Sequence, residues 1–159
     1  MKNQTAFTFI EVVVAMGVVS ILFGIASTDL FHIHYRTNLT NSVTTTIADI
    51  RQQQLQAMTG STNGAGVGDN YGAYLTQHEY TLFKGTYSPT DPENRTVTLE
   101  YPIELRSISF PSSMIVFASG SGAIVDFSIS QHSFGLINLV NGEQKTIDFN
   151  SSGIPVSVL

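Results

Sequence analysis

The chain contains no cysteine and no tryptophan. Without thiols it has neither a disulfide framework nor a thiolate metal site, so any domain it builds outside the cytoplasm is held by packing alone. Charge is scarce and leans one way. Of the 159 residues 12% are charged, seven basic against twelve acidic, for a net charge of −5. A nucleic-acid surface needs clustered cations. A patch of Lys84, Arg95 and Arg106 is the material available for one, and DNA is not indicated as a partner; nor is any cargo. Helix breakers are also missing early on: no proline precedes Pro89, and no glycine lies between Gly24 and Gly60. Nothing in that stretch removes a helical hydrogen bond or loosens the backbone.

Catalytic chemistry is equally thin. Serines together with His78 or His132 form no recognisable nucleophile motif. His32 and His34 stand two apart, about 200° around a helix, and cannot chelate one metal together. Beside Phe31, Tyr35 and Arg36 they read as side chains of a membrane interface. Asp91, Glu93 and Asn94 offer oxygen atoms but lack the glycine-centred loop and terminal Glu of a calcium loop, and read as a solvated turn. The glycine-rich stretch 60–72 has no following Lys-Ser/Thr and comes after a helix rather than a strand, so it reads as a linker and not a phosphate cradle. No catalytic activity, metal or cofactor is expected.

What the chain does have is a long apolar run near its start. From Val12 to Thr28 no side chain is charged. Residues 7–26 are about long enough to cross a bilayer core, since ~20 helical residues at ~1.5 Å each span ~30 Å. A polar leader, residues 1–6, precedes the run, and its Lys2 with the N-terminal amine weakly favours an N-inside orientation. The run is too long for an ordinary secretory signal. One carboxylate, Glu11, stands inside its leading end. An ionisable group in a membrane helix costs roughly 2.5–3.5 kcal/mol at mid-depth and asks for a partner.

The string Ala6-Phe7-Thr8-Phe9-Ile10-Glu11-Val12 resembles the processing site of type IV pilins and of the pseudopilins of type II secretion. That resemblance implies cleavage between Ala6 and Phe7 by a prepilin peptidase on the cytoplasmic side, with N-methylation of Phe7. It implies that the apolar helix stays on the mature chain, and that Glu11 meets the N-terminal amine of a neighbouring subunit. A carboxylate and an ammonium, each costly alone in an apolar medium, neutralise one another and fix the register of helices that otherwise slide. The family usually has Gly before the cut; this chain has Ala6, which keeps the small size. The implied partners are other pilin or pseudopilin subunits, the prepilin peptidase, the inner-membrane assembly platform and, before assembly, membrane lipid. The implied location is the bacterial inner membrane, as a single-pass precursor with its N-terminus cytoplasmic, and then a periplasmic or extracellular filament. Loss of the leader would remove Lys2 from the seven basic residues and leave six against twelve acidic ones.

Residues 27–59 read as an amphipathic continuation of the same helix. Leu39, Val43, Ile47, Ile50 and Met58 fall on one face, with Gln54 filling the gap. The run Thr44-Thr45-Thr46 is poor helix material and marks where a break would fall. An unbroken rod to Met58 would be roughly 75–80 Å long.

Beyond the linker the period changes from helical to two. Strands are expected at 71–76, 80–84, 96–101, 103–110, 114–118, 123–129, 134–140 and 145–149, with Asn141-Gly142 as a hairpin turn. Residues 73–159 therefore read as a β-rich head. The pattern Tyr71-Gly72-Ala73-Tyr74, Tyr80–Gly85, Ile115–Gly120, Ile137-Asn138-Leu139 and Thr146–Phe149 is similar to that of GspH/FimT-type minor pseudopilins. The expected fold class is α+β: a long N-terminal helix, transmembrane in its first half and amphipathic in its second, packed on an antiparallel head of two small sheets. The expected role is a minor, structural subunit. The alternatives are a major pilin of the shaft, and a membrane-anchored β-domain that binds a ligand without polymerising.

Overall fold

The computed structural model describes residues 8–60 and 68–158, and side chains within 8–24, 38–60 and 68–158. The chain divides into two compact units, Met1–Arg36 and Thr37–Leu159. One helix, α1 (Phe9–Thr59), supplies residues to both. Eight strands follow: β1 (Tyr71–Leu75), β2 (Glu79–Lys84), β3 (Arg95–Thr98), β4 (Ile103–Arg106), β5 (Met114–Phe117), β6 (Ser133–Asn138), β7 (Gln144–Phe149) and β8 (Pro155–Val158). The fold is α+β, as expected.

In the first unit the described side chains of the helix are exposed and, apart from Glu11 and Ser20, apolar all round it, from Phe9, 86% exposed, to Phe23. Ser20 turns its hydroxyl back onto the Met16 carbonyl at 2.8 Å, so the one hydroxyl in mid-run is satisfied within the helix. Among the described residues no helix is long and apolar enough to cross a membrane. The span expected over 7–26 lies partly outside them: Phe7 is not described, nor are the side chains from Ile25 to Thr37, which include His32 and His34.

In the second unit two four-stranded antiparallel sheets form, ordered β3-β2-β1-β5 and β4-β6-β7-β8. They share one core with α1. Leu39, Val43, Ile50 and Ala57 of the helix meet Phe117, Phe134, Leu136, Ile147 and Phe149 of the strands in a single buried cluster. Each of these side chains larger than Ala57 contributes about 1.5–3 kcal/mol by leaving water. The Phe134 and Phe149 rings stack at 5.9 Å, and Phe110 meets Phe149 edge-on at the same distance.

The buried helix face differs from the expected stripe. It comprises Leu39, Val43, Thr46, Ile50, Gln53 and Ala57, alternating steps of four and three, while Met58 is 48% exposed and Ile47 only partly buried. Two polar residues and an alanine occupy positions where an apolar pattern cannot announce them. α1 also passes through Thr44-Thr45-Thr46 unbroken. Thr44 donates its hydroxyl to the Thr40 carbonyl at 2.9 Å, and burial of the flanking Val43 and Ile50 outweighs the weak propensity.

Three strand expectations are corrected. Residues 123–129 are not a strand. Val125 N–H reaches the Val116 carbonyl on the edge of β5, but Asp126 then takes a left-handed φ of 53° and the pairing stops. β4 ends at Arg106 rather than at residue 110, because Ser107 is left-handed, φ 52°. β8 was not expected at all. Its Pro155 hides it from a propensity reading, yet a proline at the start of an edge strand forfeits no ladder bond. The Asn141-Gly142 hairpin turn is present, with Gly142 at φ +70°. It is wider than expected: Asn138 Oδ1 accepts from Val140 N–H at 2.9 Å, which draws Leu139 and Val140 into the loop.

Gln54 is one of the polar side chains that tie the helix to the rest of this unit. Gln54 Nε2 donates to the Gly122 carbonyl at 2.9 Å and to the Ser152 carbonyl at 2.6 Å. Gly122 and Gly153 sit at φ +67° and +75°, and a Cβ on Gly153 would lie 2.6 Å from both Gln54 Nε2 and Phe117 Cε1. At the close of the glycine-rich stretch, Tyr71 and Gly72 already belong to β1.

Candidate functional site

Glu11 lies in the first turn of α1. The turn starts at Thr8, whose carbonyl accepts from Glu11 N–H at 3.1 Å and Val12 N–H at 3.3 Å. The Glu11 carboxylate reaches back to Thr8 N–H, a long contact of 3.5 Å. The segment Thr8-Phe9-Ile10-Glu11 thus has the order and contact of half a capping box, in which the acid three residues into a helix answers an orphan amide of its start. An acid there also faces the positive end of the helix dipole. The spacing Thr-x-x-Glu was the signal that would have found this local role; the resemblance drew attention to Glu11 alone.

Glu11 is exposed. It shares one helix face with Val12, Ala15, Met16, Val19 and Ser20. That is a shallow apolar strip with a single carboxylate at its head, and the small Ala15 and Ser20 leave room for the ridge of another helix. Chemically the strip can seat an apolar helix and offer a carboxylate to a cation. Ala6 and Phe7, the expected cleavage and methylation residues, lie outside the described residues.

The three cations that were the material for a basic patch are each paired. Lys84 Nζ stands 3.1 Å from Asp69 Oδ2, Arg95 Nη2 stands 2.8 Å from Asp49 Oδ1, and Arg106 Nη2 stands 2.9 Å from Glu104 Oε2. Hydrogen bonding to Asp69 raises the Lys84 pKa and keeps it protonated. The three cations sit on β2, β3 and β4, which belong to two different sheets, and each carries its own counter-charge.

Asp91, Glu93 and Asn94 form a turn. Asp91 Oδ1 accepts from Glu93 N–H at 2.9 Å, and Asn94 Nδ2 donates to the Ser88 carbonyl at 2.7 Å. Among the described residues no group of three or more His, Cys, Asp or Glu could hold a metal ion.

Residues 1–27 match the family described as prokaryotic N-terminal methylation motif. The match takes in the polar start of the chain, Ala6, Phe7, Glu11 and the apolar run, and supports a type IV pilin-like precursor. It does not extend into the head. Comparison with curated proteins and with solved structures gives no match.

Proposed function

We propose that the chain is the precursor of a minor subunit of a type IV pilus or type II secretion pseudopilus. A prepilin peptidase cuts between Ala6 and Phe7 and methylates Phe7. The apolar helix then anchors the chain in the inner membrane, N-terminus inside, until the assembly platform passes it into the filament. There Glu11 pairs with the N-terminal amine of a neighbouring subunit. The observation that carries this reading is the methylation-motif match over residues 1–27, taken with a lone carboxylate at the head of an exposed apolar helix face. The exposed run is far more apolar than a solvated helix tolerates, so lipid or other helices must cover it.

The head supports the minor-subunit part of the reading through its two small antiparallel sheets on a helix, the architecture that the resemblance to GspH/FimT-type pseudopilins implies. A major pilin of the shaft is the second reading within the same class.

Intact mass of the protein from a host that expresses the peptidase tests the core of the proposal. The expected species lacks residues 1–6 and carries one added methyl on Phe7. A chain that keeps its leader in that host overturns it and leaves the anchored, non-polymerising binding domain.

A further inference from the structure

The second unit holds a cleft that filament assembly does not use. Its volume is about 270 Å³, and it lies between α1 and the sheet β3-β2-β1-β5. Gln53 and Gln56 wall it from the helix, and Tyr71, Lys84 and Arg95 from the strands. Gln53 is only 7% exposed. Its Nε2 donates to Gln56 Oε1 at 3.1 Å, which holds the two amides together and leaves Gln53 Oε1 and Gln56 Nε2 without a partner among the described residues. The Tyr71 hydroxyl makes no hydrogen bond among them either, and its electrostatic neighbour is Lys84. Polar groups fixed on a helix and a strand, with unspent hydrogen-bonding capacity, are the raw material of a small-ligand site.

The chemistry of the walls narrows the ligand. Both cations are already matched, Lys84 by Asp69 and Arg95 by Asp49, and Glu93 adds a negative charge to the lining. The cleft therefore offers no surplus positive field to a phosphate, a carboxylate or a nucleic acid. Its amide and charged walls disfavour a lipid chain, which could not satisfy them. The Arg95–Asp49 bridge joins β3 to α1 across the seam and interrupts it, so an extended peptide has no continuous groove. What remains is a compact neutral molecule that both donates and accepts hydrogen bonds.

We propose that this cleft binds a neutral saccharide. Neighbouring hydroxyls of a sugar present alternating donors and acceptors, which the Gln53 and Gln56 amides and the Tyr71 hydroxyl can answer together. The Tyr71 ring and the Leu82 side chain, on the helix-facing side of the sheet, supply the apolar part of the lining for its C–H face. The volume sits just below the ~300–1,000 Å³ of drug-sized pockets, which suits a unit of about one or two rings. The site goes beyond the assembly reading and stands apart from it, because every residue named belongs to Thr37–Leu159.

The test uses the full chain in phosphocholine micelles, which carry no sugar headgroup. Glucose, galactose, N-acetylglucosamine and their disaccharides are titrated while the side-chain amide signals of Gln53 and Gln56 are followed by NMR. At least one neutral sugar is expected to shift both signals saturably. Gln56→Leu is expected to weaken that binding by about five- to tenfold, as loss of a hydrogen-bonding group does. Tyr71→Phe, which keeps the ring, should weaken it as well, and Gln131→Leu, outside the cleft, should leave it unchanged. Saturable shifts from none of the sugars, in a chain whose thermal melt shows it folded, overturn the proposal. Binding that Gln56→Leu and Tyr71→Phe both leave intact overturns it too, as does tighter binding of glucuronate than of glucose.

Discussion

Tyr80 on β2 donates its hydroxyl to Asp49 Oδ2 on α1 at 2.7 Å, and Arg95 on β3 holds the other carboxylate oxygen of Asp49 at 2.8 Å. The pair fastens the last third of the helix to the sheet. Tyr80 is almost wholly buried, and burial followed by the hydrogen bond to Asp49 raises its pKa well above the ordinary phenol value. Replacing Tyr80 with Phe removes the donor and leaves Asp49 to Arg95 alone. Hydrogen bonds to charged groups are worth about 1.5–3 kcal/mol, so a loss of that order is expected in chemical unfolding. The pH dependence has a definite sign. A phenol held neutral in the folded state contributes stability below its unfolded pKa, and that contribution falls as pH rises beyond it toward the folded value. Wild type should lose stability above about pH 10 more steeply than Tyr80→Phe, measured as unfolding midpoint against pH.

Glu104 makes the opposite case. It is a buried carboxylate on β4 that accepts from Gln77 Nε2 at 2.8 Å and from Arg106 Nη2 at 2.9 Å, with His78 Nδ1 at 3.6 Å. Gln77 lies between β1 and β2 in the other sheet, so this acid links the two sheets; the Leu105 N–H to Gln77 carbonyl bond runs beside it. The Gln77 hydrogen bond first, and Arg106 after it, hold the Glu104 pKa below the usual carboxylate range. Such a group stabilises the fold above its unfolded pKa and loses that contribution as pH falls through its folded one. Glu104→Gln should therefore lower the melting temperature at neutral pH. It should also flatten the acid side of the stability curve below about pH 4.5, recorded by circular dichroism.

How much of this was legible in the sequence depended on what announces itself by pattern. The lone Glu11 in an apolar run, and the change of period after the glycines, were readable because charge and alternation are visible residue by residue. The helix face was half readable. Leu39, Val43 and Ile50 declared it, whereas Thr46, Gln53 and Ala57 take their places in the core only through their tertiary partners. The false strand at 123–129 is rich in β-branched residues, and one left-handed Asp126 ends it. Gln54 looked like a gap in a stripe and proved to be a bridge to two carbonyls 68 and 98 residues away. No local pattern carries a contact of that separation.

Gly72 gives a test of packing rather than of turn chemistry. It stands inside β1, paired with Phe83 on one side and Val116 on the other. A Cβ there would lie 2.5 Å from the Ile115 carbonyl oxygen and 2.6 Å from Phe83 Cζ. The Phe83 ring also packs on Tyr87 at 5.3 Å, so it cannot simply swing aside. Gly72→Ala should destabilise the head by about 1–3 kcal/mol through overpacking. Gly142→Asn makes the control. That glycine is left-handed but a Cβ on it meets nothing within 4 Å, and Asn tolerates the conformation. Urea unfolding should separate the two clearly, with the midpoint of Gly142→Asn close to wild type.

Glu11 has two roles on offer, and two substitutions separate them. Within its own chain it answers Thr8 N–H at 3.5 Å, a contact that a neutral amide can also make. In the proposed filament it answers the amine of a neighbouring subunit, which requires charge, because an ammonium in an apolar surround is neutralised by a carboxylate and not by an amide. Glu11→Gln keeps the reach and the local contact while removing the charge; Glu11→Ala removes both. If the charge is what assembly needs, the two variants should be equally absent from sheared filaments. Both should still lose the leader and gain the methyl, since their apolar run and cleavage bond are intact. Incorporation of Glu11→Gln at wild-type level would mean that Glu11 serves only to start its own helix, and the register between subunits would then have to come from the apolar strip of Val12, Ala15, Met16 and Val19.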